Sequence, residues 1–326
     1  MRQVPRAGLR LLAAALLIAA GAVACRGDGP DGDPAGASLT GASTVSPTPE
    51  ALTATPASAD SAALVAARPY RLVEPEDYDP GEAAPLVIVL HGYGQGADFG
   101  EYFNLDPVAG RHGALVAYPL GTPDALGRRF WNATDACCDL FGRGVDDVAY
   151  LRAVIDDVSS RYRVDARRVS VVGYSNGAFM AQRLACELDS RIAAVVAVAG
   201  VNWADPALCA PLGQVAVLQV HGDADTVVRY LGGRMLGGPA LAPSVRTSIE
   251  GWRDRNGCGP APKILETALD IASDLAGAET AVERYEGCGR GGAAELWTVH
   301  GGDHDIVFSA EFAEAVWRFL EAHPKP

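Results

Sequence analysis

The sequence predicts an α/β fold, in which a mostly parallel central sheet carries helices on both faces. Apolar runs of strand length, such as 85–90 and 215–220, lack polar alternation, as is typical of strands covered on both faces. Segments of helical periodicity, such as 145–162, separate these runs. Polar residues capable of chemistry follow three of the strands directly. We therefore expect one α/β domain with its site at the carboxyl ends of the strands.

The individual elements follow from composition and spacing. Val169 to Val172 is a β-branched run before a glycine, which suits a buried strand. In helix 145–162 apolar residues recur three and four positions apart, and Asp146 and Asp147 in its first turn are predicted to be structural, because carboxylates there suit the helix dipole. The predicted strands are 70–73, 85–90, 114–118, 169–172, 193–199, 215–220 and 295–299. The predicted helices are 145–162, the segment that follows Gly177, 244–255 and 310–320, and residues 131–138 are predicted to form a loop.

Residues 1–25 are predicted to be a signal peptide. Three arginines precede the apolar run 11–24, which is shorter than the roughly 20 residues that a membrane-spanning helix needs. The run ends in Ala22-Val-Ala-Cys25, which fits a signal peptidase site and also resembles a bacterial lipoprotein box. We therefore expect an exported, extracellular or cell-envelope protein that is lipidated on Cys25 and contacts the membrane only through that anchor. An ordinary secreted protein with a free Cys25 is the alternative.

Residues 26–63 are predicted to be a disordered tether, and residues 64–326 the folded domain. The tether segment is rich in Gly, Ala, Ser, Thr and Pro and has too few large apolar residues to bury a core. The chain has seven cysteines, and lipidation of Cys25 leaves an even six, for which an oxidising compartment favours disulfides.

Composition excludes some classes of partner. The formal net charge of the chain is -13, and an acidic surface repels phosphate backbones, so nucleic acid is not an expected partner. The histidines are not spaced as metal ligands, and no glycine-rich phosphate motif follows a strand. We therefore expect neither a metal nor a cofactor.

The pentapeptide Gly173-Tyr-Ser-Asn-Gly177 is the most informative motif. It lies between a predicted strand and a predicted helix, which is the context of a nucleophile elbow. Glycines two residues before and two after Ser175 allow a tight turn in which a Cβ would not fit. Ser175 is therefore the predicted nucleophile.

A serine hydroxyl needs a base, and that base needs a group to orient it. Asp225 follows the strand that ends near Val220, and His304 lies in the glycine-rich loop after the last strand, which matches the chain order Ser, acid, His. We predict Asp225 as the acid and His304 as the base. The alternatives are Asp223, Asp205 and Asp303 for the acid and His300 for the base, whereas His323 belongs to the terminal tail.

Two backbone N–H groups are predicted to form an oxyanion hole. One belongs to Asn176, directly after the nucleophile, and the other to Tyr93, in the loop after the first long strand. Gly92 leaves room for the backbone there, and His91 is predicted to be a structural loop residue.

Six motifs together resemble those of the polyhydroxybutyrate depolymerase-like esterases, which include feruloyl esterases and LpqC-like lipoprotein esterases. They are Leu90-His-Gly-Tyr-Gly-Gln95, Trp131-Asn132 with Cys137-Cys138, Val145-Asp-Asp-Val148, Gly173-Tyr-Ser-Asn-Gly177, His221-Gly-Asp-Ala-Asp225 and Gly301-Gly-Asp-His304. The resemblance covers about Arg68 to the C-terminus. It implies a single α/β-hydrolase domain with a triad at Ser175, Asp225 and His304, and a disulfide between Cys258 and Cys288. The pairing of Cys137, Cys138, Cys186 and Cys209 stays open, and a Cys137–Cys138 bridge is one alternative.

The sequence departs from the family at two places near the site. Ala178 stands where the family often has a second glycine, and Asp305-Ile-Val307 stands where Trp-Pro often follows the histidine. The expected function is exported serine esterase activity of polyhydroxybutyrate depolymerase type, on short hydroxyalkanoate esters. The alternatives are a feruloyl or acetylxylan esterase, a peptidase of the same fold, or a non-catalytic surface lipoprotein.

Overall fold

The computed structural model describes residues 59–235, 240–265 and 268–326. The strands of this part are β1 (Arg71–Val73), β2 (Ala84–Leu90), β3 (Leu115–Tyr118), β4 (Thr122–Pro123), β5 (Arg129–Phe130), β6 (Val164–Tyr174), β7 (Ala194–Val198), β8 (Ala216–Gly222), β9 (Gly233–Arg234), β10 (Leu241–Ala242), β11 (Pro262–Ile264), β12 (Thr280–Tyr285) and β13 (Ala293–Val299). The helices are α1 (Ala59–Ala67), α2 (Asp106–Arg111), α3 (Asp147–Arg161), α4 (Asn176–Glu187), α5 (Val245–Arg255) and α6 (Ala310–Ala322). Short 3₁₀ turns cover Ala97–Glu101 and Pro206–Leu208.

Nine strands form one mixed sheet in the order β1-β3-β2-β6-β7-β8-β13-β12-β11. The six strands from β3 to β13 run parallel, and antiparallel pairing occurs only towards the two edges, at β1 and at β12 and β11. Two small ribbons, β4–β5 and β9–β10, lie outside it. The predicted α/β class is confirmed, with the sheet mostly parallel.

Two helical layers cover the sheet. Side chains alternate between them, because successive residues of a strand face opposite sides: Leu86 and Ile88 pack into one core and Val87 and Val89 into the other. The first core contains residues of α3, α4 and α5, and the second contains residues of α2 and α6. The central strands are buried on both faces, which explains why they appear in the sequence as continuous apolar runs.

The strands β11 and β12, at one end of the sheet, had no counterpart in the sequence analysis. Glu283 and Arg284 interrupt the apolar pattern of β12, and both are charged residues that the fold pairs with charged side chains of neighbouring elements. Arg246 of α5 binds Glu283, and Arg284 binds Glu295 of β13. Charged strand residues whose partners lie in other elements cannot be recognised from periodicity.

Residues 59–63, which the sequence predicts to be part of the tether, are helical in the structure. They form the first turns of α1, which packs along α3. Alanine-rich composition favours helix as well as a linker, and burial of part of Val65 against the core decides between the two. The signal peptide, Cys25 and the rest of the tether lie outside the described residues. Within the described part, no helix is both long and apolar enough to cross a membrane.

Three disulfides connect the six cysteines of the domain. Cys258 pairs with Cys288, which is the pair that the family resemblance implies. The pairs left open by the sequence are Cys186–Cys209 and the adjacent Cys137–Cys138. The last of these lies in the loop that follows β5, where Cys137 contacts the side chain of Asn176.

Candidate active site

Ser175 occupies a sharp turn between β6 and α4. Its φ is 51° and its ψ is -120°, a conformation rare for a residue with a side chain and costly by about 1–3 kcal/mol. Neighbouring backbone leaves no room for side chains on either side of it: a Cβ at Gly173 would lie 2.2 Å from the carbonyl oxygen of Gly177, and a Cβ at Gly177 would lie 2.3 Å from that of Leu90. The two glycines therefore allow the turn that holds Ser175 at the start of α4.

His304 reaches Ser175 from the loop after β13. Its Nε2 lies 3.0 Å from the Ser175 Oγ, and its Nδ1 lies 2.8 Å from Oδ2 of Asp225. A carboxylate oxygen accepts a hydrogen bond, so Nδ1 carries the proton and Nε2 is free to accept one from the serine. The structure thus brings the three side chains singled out in the sequence into one hydrogen-bonded chain.

Asp225 is buried and its carboxylate accepts several hydrogen bonds. Oδ1 accepts from the N–H groups of Val227 and Val228, each at 2.8 Å. Burial alone would raise the pKa of Asp225, but its contacts with the ring N–H groups of His221 and His304 hold it well below its usual range. Asp225 is therefore a carboxylate at neutral and mildly acidic pH.

The loops of Asp225 and His304 contact each other through glycine backbone. A Cβ at Gly222 would lie 2.1 Å from the carbonyl oxygen of Gly302, so only glycine permits the approach. The N–H of Ala224 also donates to that oxygen, at 3.0 Å. This contact sets the distance between acid and base.

Tyr174 and Asp305 flank His304. The Tyr174 ring lies 5.2 Å from the imidazole, and its hydroxyl donates to Oδ1 of Asp305. Burial and the hydrogen bond to Asp305 raise the pKa of Tyr174, so the hydroxyl keeps its proton. Asp305, which departs from the family pattern, thereby ties the His304 loop to the strand that carries the serine.

The alternative residues lie elsewhere. His300 and Asp223 bind each other, with Nδ1 and Oδ2 2.8 Å apart, on an exposed part of the surface. Asp303 caps the His304 loop by accepting from the N–H groups of Thr226 and His304. His323 binds the carbonyl of Phe319 at the end of α6. Asp205 is the N-cap of the 3₁₀ turn Pro206–Leu208.

Asn176 is held by the loop that follows β5. Its wholly buried side-chain amide accepts from the N–H of Trp131 at 2.7 Å and donates to the carbonyl of the same residue at 2.9 Å. Its Nδ2 is also 3.6 Å from the sulfur of Cys137. Within the described residues, neither the N–H of Asn176 nor that of Tyr93 has a protein acceptor. Both groups are available to a ligand.

His91 fixes the loop that carries Tyr93. Its Nδ1 lies 2.7 Å from the carbonyl of Gly92, so Nδ1 carries the proton, and Nε2 accepts from the N–H of Gly121 at 2.9 Å. Burial is the main reason that the pKa of His91 falls to about 4. Both ring nitrogens are used by the backbone, so His91 is a structural residue, as the sequence indicated.

A buried ion pair supports the Trp131 loop and was not foreseen in the sequence. Asp147, predicted only as a helix-dipole residue, binds Arg68 at 2.6 Å and accepts from the N–H of Asn132 at 2.7 Å, while Asp146 is the N-cap of α3. Burial raises the pKa of Asp147 despite the charge of Arg68. The sequence signal was present in the motif Val145-Asp-Asp-Val148, but the pattern does not show that one of the two carboxylates faces inward.

His221 is a second residue that sequence reasoning missed. It is the penultimate residue of β8, is completely buried, and directs Nε2 at the Asp225 carboxylate at 3.2 Å. No group of three metal-ligating side chains occurs in residues 59–235, 240–265 and 268–326.

Comparison with known proteins agrees with the family indicated by the sequence. Residues 72–230 match the family model described as "Esterase PHB depolymerase". The predicted family is confirmed. The chain is similar to feruloyl esterase B of Piromyces equi, with 29% identity over 71% of the chain and 41% of that protein. It is also similar to feruloyl esterase D of Neurospora crassa, with 27% identity over 73% of the chain and 74% of that protein.

A solved structure supports the same fold. The acetyl xylan esterase from Aspergillus awamori superimposes with a TM-score of 0.56 at 15% identity, over 77% of this chain and 93% of that chain. At this identity the likeness shows the α/β-hydrolase fold alone.

The chain spans less than half the length of two curated relatives, 46% of one and 41% of feruloyl esterase B.

The burial of His91 predicts a pH dependence of stability. The pKa of about 4 in the folded state is below the ordinary 6.5, so the unfolded chain binds a proton first as the pH falls. The stability contributed by neutral His91 is complete above pH 6.5 and is lost as the pH falls towards 4. We expect this loss to be about 2–3 kcal/mol and to be absent in His91→Asn, which cannot titrate. Urea unfolding at pH 7 and pH 4.5 measures it; equal losses in the two proteins would contradict the prediction.

Proposed function

We propose that the protein is a serine esterase that hydrolyses carboxylic esters through an acyl-enzyme. The observation that carries the proposal is the hydrogen-bonded chain from the Ser175 hydroxyl through His304 to Asp225, with distances of 3.0 and 2.8 Å. Such a chain solves the central difficulty of serine chemistry, which is that a free hydroxyl is a weak nucleophile. The esterase names of the relatives support the same reaction.

In the first half-reaction, the Ser175 Oγ attacks the ester carbonyl and its proton passes to Nε2 of His304. Asp225 accepts from Nδ1 and stabilises the imidazolium that forms, without taking the proton itself. The imidazolium then donates its Nε2 proton to the leaving alkoxide. The alcohol departs, and the acyl group stays on Ser175.

Charge develops on the carbonyl oxygen as the tetrahedral intermediate forms. We assign its stabilisation to the N–H groups of Asn176 and Tyr93, which have no protein acceptor in the described part of the chain. Each is held by buried contacts of its loop, Asn176 through Trp131 and Tyr93 through His91, so little reorganisation is needed.

In the second half-reaction, water replaces the alcohol. His304 takes a proton from the water, the hydroxide attacks the acyl carbonyl, and the proton returns to Ser175 as the acid departs. The residues of the site supply every proton transfer, so the reaction needs neither a metal nor a cofactor.

The substrate class that we propose is a short hydroxyalkanoate ester, which follows the family description. Feruloyl esters are the second candidate, because feruloyl esterase D is similar over nearly three quarters of both chains. Hydroxybutyrate oligomers, methyl ferulate and acetylated xylan, assayed side by side, distinguish these. We expect the highest kcat/KM for the oligomers; a higher value for methyl ferulate would overturn this choice and leave the esterase proposal intact.

We also propose that the enzyme acts outside the cytoplasm. The three disulfides suit an oxidising compartment, and the N-terminal sequence has the features of an export signal. Lipidation of Cys25 would attach it to the cell envelope. A radioactive fatty acid incorporated into wild type and not into Cys25→Ser distinguishes an anchored from a freely secreted enzyme.

Hydrolysis of a short p-nitrophenyl ester tests the proposed triad. Replacement of the nucleophile or its base leaves only binding and the oxyanion hole, so we expect kcat to fall about 10⁴–10⁶-fold in Ser175→Ala and comparably in His304→Ala. His300→Ala is the matched control, because the exposed side chain of His300 pairs with Asp223 and not with Ser175; the kcat of this variant should stay within about threefold of wild type. Equal rates for wild type and Ser175→Ala would contradict the proposal. A larger loss of kcat in His300→Ala than in His304→Ala would assign the role of the base to His300.

A further inference from the structure

His221 is a fully buried imidazole to which the reaction described above assigns no role. It is the penultimate residue of β8, and its ring packs edge-on against Tyr230, with centroids 6.0 Å apart. Its Nδ1 is buried and, in the described part of the chain, has no hydrogen-bond partner. A buried polar atom without a partner costs free energy, so contacts of the other ring nitrogen, Nε2, must hold the ring in this position.

The Nε2 of His221 makes two contacts. It lies 2.7 Å from the carbonyl oxygen of Val228 and 3.2 Å from Oδ2 of Asp225. A carbonyl oxygen can only accept, so Nε2 carries the proton and donates to Val228, and the carboxylate oxygen is a second, longer contact of the same N–H. In the described part of the chain Nδ1 has no acceptor, so the contacts fit a ring whose proton is on Nε2.

These contacts close the loop that carries the acid. The loop begins after Gly222, the residue that follows His221, and returns to the His221 ring at Val228, and Asp225 lies within it. Oδ1 of Asp225 is held by two backbone N–H groups, whereas Oδ2 is contacted by two imidazoles, His221 and His304. His221 thus acts on the oxygen atom that orients the base.

We propose that His221 is a positioning residue of this active site: its shared N–H fixes the Asp225 carboxylate and limits the charge that Oδ2 presents to His304. The inference rests on the proposed esterase function. Without this donor, Oδ2 would have a single imidazole partner and would attract protonated His304 more strongly. The base would then become protonated at a higher pH, and the carboxylate would be free to rotate.

The other charged and titratable groups near these rings are few. Asp303 and Asp305 flank His304, with Tyr174 against its ring and Tyr102 next to Tyr174, and Tyr230 is the titratable neighbour of His221. None of them binds the Nε2 of His221, so a substitution at 221 leaves their contacts with His304 in place.

The test compares His221→Phe, which fills the same space without a donor, with His221→Gln, whose amide carries an N–H to about the same place. In the phenylalanine variant we expect kcat to fall about tenfold to a hundredfold with KM within threefold, and the acid limb of the pH profile of kcat/KM to move up by about half to one pH unit. Glutamine should restore most of kcat and return the limb to its wild-type position. If the phenylalanine variant does not fold, His221→Asn replaces it, because its shorter amide stops short of both acceptors.

A purely structural role gives a different result. Both substitutions would then lower the amount of folded enzyme, as measured by thermal unfolding. The acid limb of the pH profile of kcat/KM would stay at its wild-type position, and this result would overturn the proposal. Unchanged kcat and an unchanged acid limb in His221→Phe would also overturn the proposal for His221. In that case an inactive Ser175→Ala variant would still support the proposed esterase function. Full activity in Ser175→Ala would overturn both.

Discussion

The turn at Ser175 depends on one close approach of backbones, and the rest of the site is built around it. Gly173, Gly177 and the carbonyl of Leu90 meet at distances that exclude a Cβ, so the chain passes from β6 to α4 through a conformation that an ordinary residue avoids. Cores on both faces of the sheet hold these strands and α4 together. The strain at Ser175 is therefore supported by the burial of the whole central sheet, and it leaves the hydroxyl and the first N–H of α4 at the carboxyl edge.

The partners of Ser175 come from distant parts of the chain, and a second glycine contact brings them together. Gly222 and Gly302 bring the loops after β8 and β13 into backbone contact, so Asp225 and His304 meet although 79 residues separate them. Around this contact, nearly every polar atom of Asp225 is satisfied. A carboxylate that is so well solvated by the protein keeps its charge and its orientation, and this gives His304 one tautomer.

More of the candidate site than of the elements that support it could be predicted from the sequence. Ser175, Asp225 and His304 could be selected because each follows a predicted strand in an informative order, and the central strands could be located because strands buried on both faces are continuously apolar. The strand β12, which carries charged residues, and the short helix α1 could not be located, since their stability comes from partners distant in sequence. The same reason hides Asp147 and His221: an inward-facing charged or polar side chain looks like a surface residue until its acceptors are known.

Covalent labelling of the serine tests the central claim most directly, because it needs no knowledge of the natural substrate. A fluorophosphonate reacts with a serine only where a base removes the proton and an oxyanion hole receives the phosphoryl oxygen. After incubation with the reagent, we expect mass spectrometry of the intact protein and its peptides to find one adduct per chain, on Ser175, forming far more slowly in His304→Ala. An adduct on another residue, no adduct at all, or equal labelling rates in wild type and His304→Ala would contradict the activation of Ser175 by His304.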